Sequence, residues 1–563
     1  MGSTSNRFDL LLRGGWVVDG TGGPPFRADL AITGDRVAAV GRLAGAGSGT
    51  GATAAAELDV TGRYLMPGFI DAHTHADGLA DSAEAQLAAL RQGITTVLIG
   101  QDGLSYAPAS AATINAVSQY FGAVNGPCPA PLAGGCTIAD LLAHYDGKTA
   151  LNVACLAPAG TIRAEVLGFS GAPAGARQLT AMRNLVEHAL EDGAAGLSSG
   201  LEYQPGRFAD VAELAALCAP VAEAGAVYVS HLRGYEADAW RGMRELTEIV
   251  RRAGVAGHVS HYHGPAGMLT GLLDEARTDG LDVTFDSYPY LRGSTILGML
   301  ALPGEVQAGG PEATLRRLAQ PATRQRLARD WFPGISGVLD RITLSYVGAA
   351  EWSWAEGVPL TEAAGTAGLP AGELVCELLT ASGLAAGCVF AQPPTNTEAD
   401  LRALLRHEAH LAGSDGILLG RWPHPRGWGA FARLLGRHTR ELGDWTWGQA
   451  AVHLAGHAAR RFGLAGRGLL RPGSHADVAV VNPATVQDQA DYEHPRRPAR
   501  GVHHVLVNGR FALRDGQLTG EHPGRALRHS GGTTPWTPRD SCLDGNTPSA
   551  RPASPAKSQL AWG

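Results

Sequence analysis

Met66-Pro-Gly-Phe-Ile-Asp-Ala-His-Thr-His-Ala-Asp77 is an apolar run that ends in two histidines one residue apart. Side chains at i and i+2 of an extended strand point to the same face, so His73 and His75 are expected to converge on one point. That geometry suits a metal ion. The competing reading is a solvated strand end with two unrelated histidines, and the chain on either side decides between them.

Downstream, apolar β-type runs alternate with amphipathic helical stretches, the pattern of βα units around a parallel sheet. Candidate strands lie at 68–75, 95–101, 151–157, 194–199, 226–231, 256–261, 281–287 and 409–414, with helical patterns at 83–92, 178–192, 210–224 and 238–253. Eight such units predict an α/β protein of the TIM (β/α)8 barrel class. The long gap before the last strand requires an insertion at about 289–408, expected to cover the barrel mouth and to include Trp352 and Trp354. Upstream, short strands are expected within 9–19, 29–33 and 36–40, and the Gly/Ala/Ser run at 44–56 reads as a loop. Similar strands return at 475–482 and 502–510. The expected organisation is a small β-sandwich domain from 8–65 plus 466–525, a metal-dependent barrel at 66–465, and a tail at 526–563. The tail is rich in Pro, Ser, Thr, Gly and Arg and too poor in apolar residues to order itself.

Composition narrows the function. The 563 residues, 45% hydrophobic and 18% charged, describe a globular chain longer than one ordinary domain. A formal net charge of -7 gives no basic footprint for nucleic acid or an anionic membrane surface. The N-terminus lacks the apolar core of a signal peptide, and no run reaches the ~18 apolar residues of a membrane span, so a cytoplasmic protein is expected. Seven cysteines form no Cys-x-x-Cys pair, and an odd number in a reducing compartment reads as buried thiols.

Catalytic groups of such barrels stand at the C-terminal ends of the strands. There the chain places His73, His75, Asp102, His231, His261 and Asp415. His231 and His261 are 30 residues apart, about one βα repeat, and each closes an apolar-Ser-His motif. A lone histidine at a strand end is more often structural. Six candidates at equivalent positions point instead to zinc or another borderline divalent ion, in sufficient number for two metals.

The ordered set Gly68-Phe-Ile-Asp-Ala-His-Thr-His75, Gly196-Leu-Ser-Ser-Gly-Leu-Glu-Tyr-Gln-Pro-Gly206, Ser230-His-Leu-Arg233, Val259-Ser-His261, Asp286-Ser-Tyr-Pro-Tyr290, Gly293-Ser294, Gly413-Ser-Asp-Gly416 and His424-Pro-Arg426 resembles the N-acyl-D-amino-acid deacylases of the amidohydrolase superfamily. The resemblance covers about residues 8 to 525. It implies a zinc-dependent barrel that hydrolyses small N-acyl-D-amino acids; one or two ions are expected, and the hard carboxylate of Asp102 would let manganese or cobalt substitute. By position, His73, His75 and Asp415 would surround one metal, and His231 and His261 the other, with Asp415 also the general base. Arg426 and Tyr288 would hold the substrate carboxylate, with Ser294 nearby and Tyr203 also against the substrate. The pattern departs from the family at three places: Asp102 in Gly100-Gln-Asp-Gly103 where Cys is usual, Ala159 where His is usual, and His263 where Lys is common. The alternatives are a cyclic-amide hydrolase of the hydantoinase or dihydroorotase type and a non-catalytic metal-binding scaffold. The former typically carries a bridging lysine, and no candidate strand contains one. A purely structural zinc site is closed by its ligands and needs no spare carboxylate such as Asp415.

Overall fold

The computed structural model describes residues 7–43 and 52–531. Eight parallel strands carry the centre of the molecule: β1 (Phe69–Asp71), β2 (Ile94–Ile99), β3 (Asn152–Cys155), β4 (Gly196–Gly200), β5 (Val227–His231), β6 (Ala256–Val259), β7 (Val283–Ser287) and β8 (His410–Ala412). Each overlaps an expected span. They are short and nearly wholly buried, as in Ile94-Thr-Thr-Val-Leu-Ile99, because parallel strands are covered on both faces.

One sheet runs β3-β2-β1; past Leu156, the short strand Ala157–Pro158 opens the second, which continues β4-β5-β6-β7-β8. Main-chain hydrogen bonds cross both seams between the sheets, Ala195 N to Cys155 O at 2.8 Å and Ala72 N to Ala412 O at 3.1 Å. Thr74 and Gly416 form a further parallel bridge at the second seam.

Helices pack outside the strands by amphipathic periodicity. Ala239–Ala253 buries Ala239, Gly242, Met243, Leu246, Ile249 and Val250, a stripe of three- and four-residue steps. It ends on Gly254 in the left-handed conformation, with Arg251 and Arg252 against the negative end of the helix dipole. Among the described residues no helix is long and apolar enough to cross a membrane. The six described cysteines are free thiols, and Cys542 lies outside the described residues.

Both chain ends contribute to one nine-stranded sheet. Arg7–Val17, Phe26–Thr33, Arg36–Gly41 and Tyr64–Pro67 join Val478–Val481, Val502–Val507, Arg510–Arg514 and Gln517–Leu518, and Tyr64–Pro67 pairs antiparallel with Val478–Val481 at the junction. The ninth strand corrects a loop expectation: Thr53–Asp59 pairs with Arg7–Val17 over six residues, while 44–51 lie outside the described residues. Small Ala side chains at 54–56 fit a strand whose partner supplies the bulk. The first residues of the expected disordered tail are ordered instead. Val153 N bonds Arg525 O and Leu527 N bonds Val153 O, so this stretch is held beside β3, while 532–563 lie outside the described residues.

The insertion has a core of its own around Leu344, Leu374, Leu378 and Cys388. Its antiparallel sheet runs Arg292–Ile296, Ala386–Ala391, Ile342–Val347. Met299, Leu300, Val338, Arg341 and Phe390 from this region line the cavity above the strand ends. Trp352 and Trp354 do not: they pack on each other at 6.0 Å with Trp354 exposed.

Candidate metal centre

The six expected ligands meet in one buried cluster. His231 ends β5, while His73, His75, Asp102, His261 and Asp415 sit in the first residues beyond β1, β2, β6 and β8. Tight turns aim three of them inward, with φ of 54° at Asp102, 36° at His261 and 49° at Asp415. Left-handed backbone at a residue other than glycine costs about 1–3 kcal/mol, and such residues gather where a site requires them. Two glycines let the elements close. A Cβ on Gly413 would lie 2.9 Å from both His73 Cβ and Asp286 Oδ1, and one on Gly200 would lie 2.1 Å from Asp102 O.

Asp102 is central. Its Oδ1 lies 3.6 Å from His73 Nε2 and 3.5 Å from His261 Nε2, and its Oδ2 lies 3.4 Å from His231 Nδ1 and 3.7 Å from His75 Nε2. Asp415 Oδ1 stands 3.3 Å from His75 Nε2 and 3.7 Å from His73 Nε2. Two groupings bring their ligand atoms within 4.8 Å of one another: His73, His75 and Asp415, and His73, Asp102 and His261. The first matches the expected set. The second differs from the expected pair of His231 and His261, because Asp102 and His73 reach it; His231 Nδ1 still lies 3.0 Å from His261 Nε2.

A layer behind the cluster fixes which imidazole nitrogen faces inward. His73 Nδ1 lies 3.3 Å from Asp286 Oδ2, and His75 Nδ1 lies 3.0 Å from Asn125 Oδ1. Carboxylate and amide oxygens accept, so both Nδ1 atoms carry hydrogen and both Nε2 atoms face the cluster, where a metal would take their lone pairs in place of protons. His231 is turned the other way, with Nε2 at 3.3 Å from Glu202 Oε2 and Nδ1 inward. Asp286 also accepts from His261 N and contacts His258 Nε2, tying β7 to β6. The sequence reading named no role for Asp286, Asn125, Glu202 or His258. Asp286 and Glu202 stood inside quoted motifs at strand ends, whereas Asn125 closes the helix Ala111–Asn125 and carries no local signal.

The donor set fits a divalent cation. His73 Nε2 and Asp102 Oδ1 are buried with no hydrogen-bond partner, an arrangement that is costly unless something else engages them. Electrostatics agree. Burial opposes ionisation of Asp102, yet the imidazoles of His231 and His261 hold its carboxyl well below the usual range. Burial likewise disfavours charge on His73, but Asp286, Asp415 and Asp102 push it up to about 9, and Asp102 and Glu202 push His231 up to about 10. Buried carboxylates in this number require positive charge among them, from imidazolium protons or from a metal.

The expected substrate residues surround a cavity of about 220 Å³ that opens onto the cluster. Arg426, fully buried at the start of helix Arg426–Arg433, has its guanidinium carbon 4.5 Å from the Tyr288 ring centre and donates through Nη2 to Ser294 O at 3.2 Å. Its Nη1 lies 2.8 Å from Asp415 Oδ2, a contact the sequence did not suggest. Although burial works against it, this cation holds the Asp415 carboxyl at about 2. Ser294 Oγ donates to Cys388 O, and Tyr203 shares a 2.7 Å hydrogen bond with Thr295 while its ring lies 4.8 Å from that of His231. Ala159 begins the helix Ala159–Leu167 and brings no ligand atom. A larger cleft of about 970 Å³, lined by residues such as Arg467, Arg525 and Arg528, contains none of the six ligand candidates.

Comparison with known proteins adds independent weight. The Amidohydrolase family matches residues 56–512. D-aminoacylase of Alcaligenes xylosoxydans xylosoxydans is 34% identical over 538 residues, covering 93% of this chain and 98% of that protein. The crystal structure of N-acyl-D-glutamate deacylase from Bordetella bronchiseptica, complexed with zinc and a phosphonate mimic of the tetrahedral intermediate, superposes with a TM-score of 0.78 at 31% identity over 93% of this chain and 100% of that one. Dihydropyrimidinase of Brevibacillus agri, at 17% identity and a TM-score of 0.56 over 93% of this chain and 99% of its own, shares the fold. With its metal-ligand candidates gathered at the strand ends and similarity along nearly its whole length, the chain belongs to the amidohydrolase family, among the N-acyl-D-amino-acid deacylases.

Proposed function

We propose that the protein is a zinc-dependent hydrolase that cleaves the amide of an N-acyl-D-amino acid to a carboxylate and a free D-amino acid. The observation that carries this reading is the buried cluster of four histidines and two aspartates, open on one side to a cavity that also presents Arg426. The names of the relatives support the substrate class. We read the eight parallel strands and the bonds across their seams as a closed (β/α)8 barrel spanning 66–465, with the sheet from both chain ends, 8–65 and 466–525, as a separate small domain.

His73, His75 and Asp415 would hold one ion, and His73, Asp102, His261 and His231 offer donors for a second. When bound, the metal supplies Lewis-acid chemistry, activating water and polarising the acyl carbonyl. Asp415 is suited to move the proton: Oδ1 faces the imidazoles and Oδ2 lies against Arg426, and this carboxylate would accept a proton from the attacking water and return it to the leaving amine. Its depressed pKa keeps it ionised at neutral pH. Arg426 presents a planar fork matched to a carboxylate, with Tyr288 beneath it and Ser294 beside it. Tyr203 closes the wall beside His231.

The decisive experiment follows free amino acid released from N-acetyl-D- and N-acetyl-L-amino acids by zinc-reconstituted protein. Hydrolysis of D substrates is expected. Zinc-loaded protein that ignored them and opened hydantoins would establish the cyclic-amide activity instead, and inertness toward both would leave a scaffold.

A further inference from the structure

β5 and β6 run as a regular parallel pair from Val227 and Ala256 to Ser230 and Val259. Ser260 N donates to Ser230 O at 3.0 Å, so the next rung of the ladder would join Leu232 N to Ser260 O. A side chain stands in its place. Leu232 N donates to the Tyr235 hydroxyl at 2.9 Å, and that hydroxyl donates to Ser260 O at 3.3 Å. Both directions are fixed, because an amide nitrogen only donates and a carbonyl only accepts. One oxygen atom thus spreads the two chains where a rung would have drawn them together. The ligand candidates flank that point: His231 directly precedes Leu232, and His261 directly follows Ser260.

The ring of Tyr235 packs among the imidazoles that this wedge separates. Its centre lies 5.1 Å from that of His231 and 5.2 Å from that of His261, and it stacks on His263 at 4.9 Å, 2° from parallel. The chain takes positive φ on both sides of the tyrosine to bring it there, 98° at Gly234 and 55° at Glu236. Left-handed backbone at a residue such as glutamate persists only where its surroundings over-determine it. Held in this way, His231 Nδ1 stands 3.0 Å from His261 Nε2, and the two face Asp102 at 3.4 Å and 3.5 Å.

We infer that Tyr235 is a positioning residue of the metal centre: its hydroxyl is the spacer that keeps the ends of β5 and β6 apart, and so sets the separation and tilt of His231 and His261 and the coordination geometry of an ion they share. The assignment rests on the metal-dependent reading above. Without the hydroxyl, Leu232 N and Ser260 O are free to form the missing rung, which draws the two backbones together while His231 Nε2 stays tied to Glu202. The two imidazoles then no longer meet an ion as a pair. Phenylalanine removes the spacer and keeps the ring, so this one change separates the hydroxyl's role from the packing of the ring against the histidines.

The test titrates the metal-free full chain with Co2+, in the native sequence, in Tyr235→Phe and in Tyr262→Phe. Cobalt d–d absorption reports the number and arrangement of ligands with no substrate present. Tyr262→Phe is the structural control: it removes a hydroxyl from the same turn, one that donates to Leu269 O in the helix Ala266–Thr278 at 3.2 Å, from a ring packed on Phe285. Tyr235→Phe should fold by circular dichroism, bind cobalt about 10–100-fold more weakly and show an altered d–d spectrum at saturation. Tyr262→Phe should keep the native binding curve and spectrum. A native curve and spectrum in Tyr235→Phe overturn the spacer role. So does an equal change in Tyr262→Phe, since any loosening of the turn would then suffice, and so does an unfolded Tyr235→Phe, since the residue would then serve the fold itself. In all three cases the deacylase reading stands. A native chain that takes up neither cobalt nor zinc overturns the metal-dependent reading and the spacer role together.

Discussion

Asp415 sits between two demands, with one oxygen toward the imidazoles of His73 and His75 and the other against Arg426. Asp415→Asn keeps its shape but cannot shuttle a proton, so kcat should fall by at least the ~10²–10⁴-fold of a general acid–base contribution. Near-native turnover at matched metal content would remove it from that role. Asp102 makes a separate prediction. Its carboxylate faces four imidazoles, so Asp102→Ala should lower metal content and activity together, whereas Asp102→Cys should retain zinc and lose manganese-supported activity, sulfur being the softer donor. Full metal occupancy in Asp102→Ala, measured by elemental analysis, would reduce the residue to a turn former. All six ligand candidates were legible because strand ends are predictable from apolar runs and the residue types are distinctive. The residues that orient them were not. Asn125 reaches His75 from the end of a helix 50 positions away, and nothing local distinguishes it from a surface asparagine.

The strands were legible because burial on both faces makes them continuous apolar runs. Within the expected 44–56 loop, residues 53–56 misled because Ala suggests a loop, while the Thr53–Asp59 strand takes its bulk from Arg7–Val17. The insertion resisted reading for a topological reason: its middle strand, Ala386–Ala391, pairs with Arg292–Ile296 and Ile342–Val347, both far away in sequence. At this scale the junction between β1 and β8 is the vulnerable one. Gly413→Ala would set a methyl 2.9 Å from His73 Cβ and Asp286 Oδ1, forcing the two chain segments apart. Overpacking of this kind costs about 1–3 kcal/mol. The variant should remain folded by circular dichroism, melt several degrees lower and bind metal more weakly. Unchanged metal affinity would mean that the backbone yields away from His73.

Across the whole molecule the candidate metal centre draws on β1, β2, β5, β6 and β8, so an ion there would fasten elements from many parts of the chain. Ligand linkage predicts stabilisation of about 2.7 kcal/mol at a free metal concentration one hundred times Kd. Chelation should therefore lower the melting temperature by a few degrees and zinc should restore it, measured by calorimetry; a melting temperature indifferent to both treatments would argue against binding within this cluster. The sheet shared by the chain ends bears on biosynthesis. Leu65 pairs with Val480, so on the ribosome its strand waits for a neighbour made about 400 residues later, roughly 20–80 s at 5–20 residues per second. Through that interval the nascent chain bears an open strand edge, which makes the growing polypeptide, more than the finished protein, the form exposed to aggregation and to chaperones.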